Sequence, residues 1–365
     1  MGYLAVKGTE EAVAAARRLA APTGGQETVD SLLAHLPLAV DEIQAEAGLY
    51  APRLAAVALV QARGDVTEAA FLLRAFRSTL PRTEPARAAS EDLRPVRRIS
   101  SAFRDLPGGQ VLGATGDYGL RLLDLDIDRR PAAGPSVEPR RQAPTPEGTG
   151  EPEKQGAPEQ SVRLPKVADL LREAGVLAAV PDSPSPEADD ITRVSLRFPA
   201  SRSARLQALT RGQSGAMTSF AYANLRGYGP FHPTLGELRV GSLPLTVRHP
   251  RTGEPATVGE VTVTEAEAVG QKPNQEGDTI GMGYGCVFGR SERKSIAMAV
   301  LDAVLSGLND DAPFESPLAD EEFVLSHVDG IESSGFVEHL KLPHEVTFAS
   351  DIDRVRSVQE QKEDR

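Results

Sequence analysis

Tryptophan is absent from the 365 residues, and aromatic side chains make up only 5% of them. A buried core must therefore be assembled mostly from Leu, Val and Ala. A single cysteine, Cys286, excludes an internal disulfide framework and fits a reducing compartment. No apolar run approaches the roughly 18 residues that a membrane span requires. The opening stretch, MGYLAVKGTEEAVAAARRLAA, carries charges where a secretory leader needs an apolar run. A cytoplasmic protein with no membrane partner is expected. Positive charge is also short: 40 Lys and Arg stand against 52 Asp and Glu, for a net charge of −12. That balance argues against a general nucleic-acid binder, which needs a cationic field. It still permits a small anion held by a local arginine cluster.

What is present divides the chain unevenly. Residues 9–80 read as helices, with Thr9 as a first N-cap and the helical pattern closing before Pro81. Ala70, Leu73, Ala75 and Phe76 recur there at helical spacing. Residues 131–160 hold seven prolines and four glycines with no Leu, Ile, Met or aromatic residue, the composition of a disordered insert. The short helical stretch VADLLREAGVLAAV follows. Farther on, GELRVGSLPLTVRH, ATVGEVTVTEAEAV, GMGYGCVFG and EVTFASDI read as strands, and SERKSIAMAVLDAVLSG as a helix opened by Ser291 and stopped by Gly307. The expected fold class is α+β, a helical N-terminal region followed by a strand-rich antiparallel region with packed helices. The expected division is 1–130 helical, 131–160 insert, 161–355 α+β and catalytic, and 356–365 a charged tail.

Four stretches carry potential chemistry. ITRVSLRFPASRSARLQALTRG concentrates Arg193, Arg197, Arg202, Arg205 and Arg211, a set suited either to phosphate oxygens or to a solvated helix face. GMGYGCVFGRSERKS runs glycines into a helix that opens with Arg290, Arg293 and Lys294. A free helix N-terminus there would hold an anion, while glycines in a strand equally permit close packing. It contains neither G-x-x-x-x-G-K-[ST] nor G-x-G-x-x-G. RGYG, at 226–229, reads as a turn exposing Arg226 and Tyr228. The fourth stretch, FVEHLKLPHEV, sets His339 and His344 five residues apart in a chain with six histidines. On one helix that spacing turns about 500°, which leaves the rings roughly 140° apart. A helix ending near Leu340, followed by a turn at Pro343, folds the second ring back toward the first. Glu321, Glu322, His327 and Asp329 lie upstream as further donors. Spacing alone leaves a metal pair and two surface imidazoles both open.

Taken in order, MGYLAVKGTEEAVAAA, EAAFLLRAFRSTL, RRISSAFRDLPGGQVLGATGDYGLRLLD, DDITR, SRSARLQALTRG, RGYG, GYGCVFGRSERKSIAMAVLD and DEEFVLSHVDGIESSGFVEHLKLPHEVTF resemble the I subunit of the bacterial carbon–phosphorus lyase core complex. The likeness covers residues 1–127 and about 161–355. It implies a nucleosidase-type transfer on ATP or GTP, in which a phosphonate displaces the purine at C1′ and leaves ribose 1-phosphonate 5-triphosphate. It implies G, H and J partner subunits in a hetero-oligomer with a homodimer at its centre, and a zinc ion held by His339 and His344. Arg202, Arg205, Arg211, Arg226, Arg290, Arg293 and Lys294 are the expected phosphate-binding set. Glu322 or Asp329 is the expected general acid. Two alternatives accompany this reading: a non-catalytic scaffold, or a zinc site serving the later C–P cleavage with the J subunit.

Overall fold

The computed structural model describes residues 10–21, 23–81, 85–129, 164–177, 188–229, 232–271, 280–307, 316–342 and 344–363. Thr9, the insert 131–160 and Pro343 lie outside the described residues. The architecture is mixed α+β, with helices first and an antiparallel sheet formed mainly by the second half of the chain.

Five helices open the described chain: α1 (Glu10–Leu19), α2 (Gln26–His35), α3 (Pro37–Ala47), α4 (Pro52–Gln61) and α5 (Val66–Thr79). Their ends follow from local chemistry. Pro37 and Pro52 occupy first turns, where a missing N–H goes unnoticed. Gly48 ends α3 in the left-handed region at φ 67°. Asp65 caps α5 by accepting the Glu68 N–H at 3.1 Å. Replacing Asp65 with alanine is expected to cost about 1 kcal/mol, measured as a lower denaturant midpoint; an unchanged midpoint would show the cap to be idle. Val40, Ile43, Ala55, Leu59, Ala69 and Leu73 form the core of this bundle. Ala70 and Leu73 are buried as their spacing predicts, but Ala75 and Phe76 face solvent.

Next come β1 (Arg94–Ile99), α6 (Val167–Glu173), α7 (Arg202–Arg211) and α8 (Ser214–Ala223). The long strands β2 (Thr234–Arg248) and β3 (Pro255–Gly270) then pair with β4 (Gly281–Phe288). The chain finishes with α9 (Glu292–Gly307), α10 (Glu321–His327), α11 (Gly330–Glu338) and α12 (Glu345–Glu363). The sheet order is β1-β2-β3-β4, antiparallel throughout. Two sequence expectations need correction. A strand, β1, lies within the stretch expected to be helical; RPVRRI hides it because proline and three arginines are poor strand formers, and Pro95 is tolerated beside a register shift. EVTFASDI, expected as a strand, is instead the start of α12, which continues through most of the expected tail. Its Val346 and Phe348 are exposed and pair with no sheet, and Asp351 meets Arg354 three residues on, as helix geometry allows.

The period of two along the strands sorts side chains onto two faces. On one face Leu238, Ala266 and Ala268 pack against Ala299 of α9. Gly283 and Gly285 make that approach possible. A Cβ at Gly283 would lie 2.0 Å from the Ala299 carbonyl oxygen, and one at Gly285 2.1 Å from that of Ser295. These glycines therefore serve close packing between strand and helix. The opposite face carries Glu237, Arg239, Glu265, Glu267 and Tyr284, with Arg98 of β1, and α6 lies against it.

The opening helices are bonded directly to the rest. Asp41 accepts the Arg290 N–H at 3.1 Å, and Glu46 the Ser214 N–H at 3.0 Å. Arg74 reaches Asp329 at 2.7 Å while its other nitrogen donates to the Glu46 carbonyl at the end of α3. Leu209, Met217, Met298, Leu301, Val324 and Val328 fill the core shared by α7 to α10.

Candidate functional site

The two histidines come together. After α11 ends at Glu338, a single 3-10 turn over His339–Lys341 reverses the chain, and the ring centroids stand 5.5 Å apart. His344 Nδ1 lies 2.6 Å from the Leu342 carbonyl oxygen, and His339 Nδ1 bonds that of Phe336. A carbonyl accepts only from N–H, so each Nδ1 carries a proton, and in the neutral ring the lone pair is on Nε2. That tautomer, fixed by a backbone carbonyl, is the one metal-binding imidazoles use. Two such rings within one ion's reach suit zinc, whose bonds to imidazole nitrogen are about 2.0–2.1 Å long. Among the described residues no group of three His, Cys, Asp or Glu forms around them. The upstream donors are committed elsewhere: Glu321 to Arg205 and the Ala200 N–H, His327 to the Phe323 carbonyl, and Asp329 to Arg74.

The basic residues scatter across several settings. Arg202 pairs with the buried Asp302 at 2.7 Å, yet its side chain stays 38% exposed. Arg205 binds Glu321 at 3.3 Å and the Ser306 hydroxyl at 3.1 Å. Arg211 lies 3.9 Å from Asp329; burial, with Arg74 adding to it, draws its pKa down to about 10. Arg226 rests over the Tyr222 ring on the exposed turn, and Tyr228 also faces solvent there. Arg290 and Arg293 are exposed. Lys294 is turned fully inward, its Nζ without a hydrogen-bond partner, and burial pushes its pKa down to about 8. Glu46, the first of the carboxylates acting on it, is itself pushed up to about 6 by burial. Of the two expected acids, Glu322 is exposed on α10, whereas Asp329 caps α11 by accepting the Ile331 N–H.

The most concentrated chemistry is on the charged sheet face, which the sequence reading passed over. Glu237 pairs with Arg98 at 2.5 Å, and Glu265 bonds Arg239. Lys166, just before α6, bridges Glu267 at 3.0 Å and Glu265 at 3.8 Å, and sits 5.2 Å from the centre of the Tyr284 ring. The Tyr284 hydroxyl donates to Glu265 at 2.6 Å. Burial pushes Glu265 up, but Arg239 and Lys166 outweigh it and hold its carboxyl below the usual range. Burial pushes Glu267 above that range, with Lys166 only partly offsetting it. A cleft of about 260 Å³ opens here, lined by Lys166, Arg172, Arg202, Glu267, Met282 and Tyr284. The signal was present in TVTEAEAV, whose alternation puts Glu265 and Glu267 on one side of a strand.

A family profile described as "Bacterial phosphonate metabolism protein (PhnI)" matches residues 2–362. HtxH of Stutzerimonas stutzeri, which carries the name of a C-P lyase subunit, is 44% identical over 99% of this chain and 96% of its own. A protein of Rhizobium meliloti named "Alpha-D-ribose 1-methylphosphonate 5-triphosphate synthase subunit PhnI" is 40% identical over 97% of this chain and 94% of its own. Its namesake in Escherichia coli is 40% identical over 99% of each chain.

Proposed function

We propose, from the premise that this chain belongs to the PhnI family of bacterial phosphonate metabolism proteins, that it is the subunit of a ribose 1-phosphonate 5-triphosphate synthase where the purine is displaced. The observation that carries this reading is the match to two proteins bearing that synthase name over nearly their whole length. In the proposed reaction a phosphonate oxygen attacks C1′ of ATP or GTP, and the bond to the purine breaks. Both reactants are anions, so their repulsion must be screened where they meet. Arg202, Arg226, Arg290 and Arg293 present guanidinium groups to solvent and suit phosphate oxygens. Arg205 and Arg211 act behind them through Glu321 and Asp329, and Lys294 contributes charge from within.

His339 and His344 are assigned to zinc, their paired rings and free Nε2 atoms supporting that choice. Bound there, zinc supplies a Lewis-acid centre for anionic oxygens. Replacing His339 with alanine is expected to reduce zinc from one ion per chain to less than a tenth, measured by elemental analysis after dialysis. Conversion of ATP and methylphosphonate by the assembled complex, followed as adenine release, should fall with it. Full conversion by a zinc-free complex would remove the metal from the reaction.

A second reading is favoured by one observation. Phe336, Val337, Leu340, Val346 and Phe348, around the histidine pair, are all more than 60% exposed. Large apolar side chains gathered this way belong to a face that another chain covers. Under that reading the pair lies at a boundary with the J subunit of the complex and serves the later cleavage step. Zinc retained only in the assembled complex, with adenine release intact in H339A, would select it. The complex would also contain the G and H subunits and a central pair of copies of this chain.

A further inference from the structure

We propose that Glu267 is the general acid that protonates the departing purine, acting from the cleft between α6, α7 and the charged sheet face. This assignment rests on the displacement reaction proposed above. A purine anion is a poor leaving group, so a proton must reach its N7 as the bond from C1′ to N9 breaks. The donor must be a carboxyl whose surroundings lift its pKa above the ordinary carboxylate range, at a cavity wall, and steadied once ionised. Glu267 meets these conditions. It lines the cleft and is almost fully buried. Once ionised, it is held by Lys166 at 3.0 Å and by the Ala168 N–H at 3.0 Å. Two residues away on the same face, Glu265 stays ionised against Arg239. Adjacent carboxyls whose surroundings push them in opposite directions are the arrangement that separates an acid from an electrostatic stabiliser. Arg202, with part of its guanidinium open, lines the same cleft and is placed to hold an anionic group beside the acid.

The step balances. The carboxyl proton of Glu267 goes to purine N7, the electron pair of the C1′–N9 bond goes to N9, and a phosphonate oxygen forms the new bond to C1′. The proton of the phosphonate monoanion, released as it becomes a monoester of the ribose, restores Glu267. No oxidant, reductant or further reactant is required.

The test compares two substrates in the assembled complex with methylphosphonate: GTP, and 7-methylguanosine 5′-triphosphate. The methylated base already carries a positive charge on its imidazole ring and leaves neutral without a proton. Glu267→Gln is expected to slow base release from GTP by about 100-fold or more, the usual contribution of a general acid. Release from the methylated nucleotide should stay within about threefold, and Glu267→Asp should recover part of the GTP rate. Equal losses on both substrates, or none on GTP, overturn the assignment.

The wild type gives a measurement independent of whether the variants fold. The titratable and charged groups facing Glu267 and its cleft are Glu91 before β1, Lys166, Asp169 and Arg172 at α6, Arg202 on α7, Glu237 and Arg239 on β2, Glu265 on β3, and Tyr284 on β4. Because the working form is protonated, the GTP rate should fall relative to the methylated substrate as pH rises. A constant ratio overturns the assignment. Release of neither base by the wild type fells the displacement reading itself, a distinct result.

Discussion

Gly285→Ala is expected to destabilise the chain by about 3 kcal/mol, the upper end of what overpacking costs. The added methyl would lie 2.1 Å from the Ser295 carbonyl oxygen and 2.9 Å from the Ala299 nitrogen. Both obstacles are backbone atoms of α9, so no rotamer change relieves the clash. The helix must lift from β4, separating Val287 from Met298 and Leu301 in the shared core. Gly283→Ala meets the same obstruction one step along, at the Ala299 carbonyl oxygen and the Ala303 nitrogen. The control is Gly215→Ala in the first turn of α8, where the new methyl meets nothing within 4 Å. Alanine there should be neutral or stabilising by up to about 1 kcal/mol. Denaturant midpoints for the three variants decide the matter: similar values would mean that α9 is not held at glycine distance.

Arg98→Met should cost about 3–5 kcal/mol by leaving Glu237 as an unpaired buried carboxylate. Arg98 is fully buried; besides Glu237 it donates to the Pro107 carbonyl at 2.8 Å and that of Pro165 at 2.7 Å. One guanidinium thus gathers β1, the turn after it and the approach to α6. Glu237 in turn accepts the Val167 N–H at 3.0 Å. The double variant Arg98→Met/Glu237→Leu removes both charges and should recover much of the loss, because an apolar pair of similar volume often replaces a buried ion pair without penalty. Additive losses in a double-mutant cycle would show that the two side chains act independently.

Regular periodicity was readable in the chain, and irregular compensation was not. β3 announces itself by alternating Val and Thr, β2 and β4 by short apolar stretches between turn residues, and α9 by its apolar spacing. β1 escaped because arginines at 97 and 98 look like surface residues until their carboxylate partners are known. EVTFASDI misled because a short alternating apolar stretch has the same appearance in an exposed helix and in a strand. In the candidate site, the five-residue spacing of the histidines was visible, but the tautomer set by the Leu342 carbonyl was not. The cleft depends on Lys166 meeting Glu267 across 101 residues of separation, a distance over which local pattern carries no information. Lys294 shows the converse. A lysine opening a glycine-preceded helix looks like an anion ligand, and only packing reveals that it points inward.

The bonds from Asp41, Glu46 and Arg74 to residues more than 160 positions away have a practical consequence. Cutting the chain after Thr79 would yield two pieces, each with ionised groups stranded on a newly wetted surface. Neither would be a faithful miniature of the parent. The opening helices are also denied a hinge: any swing relative to α9 must first break the Asp41 contact, made where Gly289 leaves no space for a side chain.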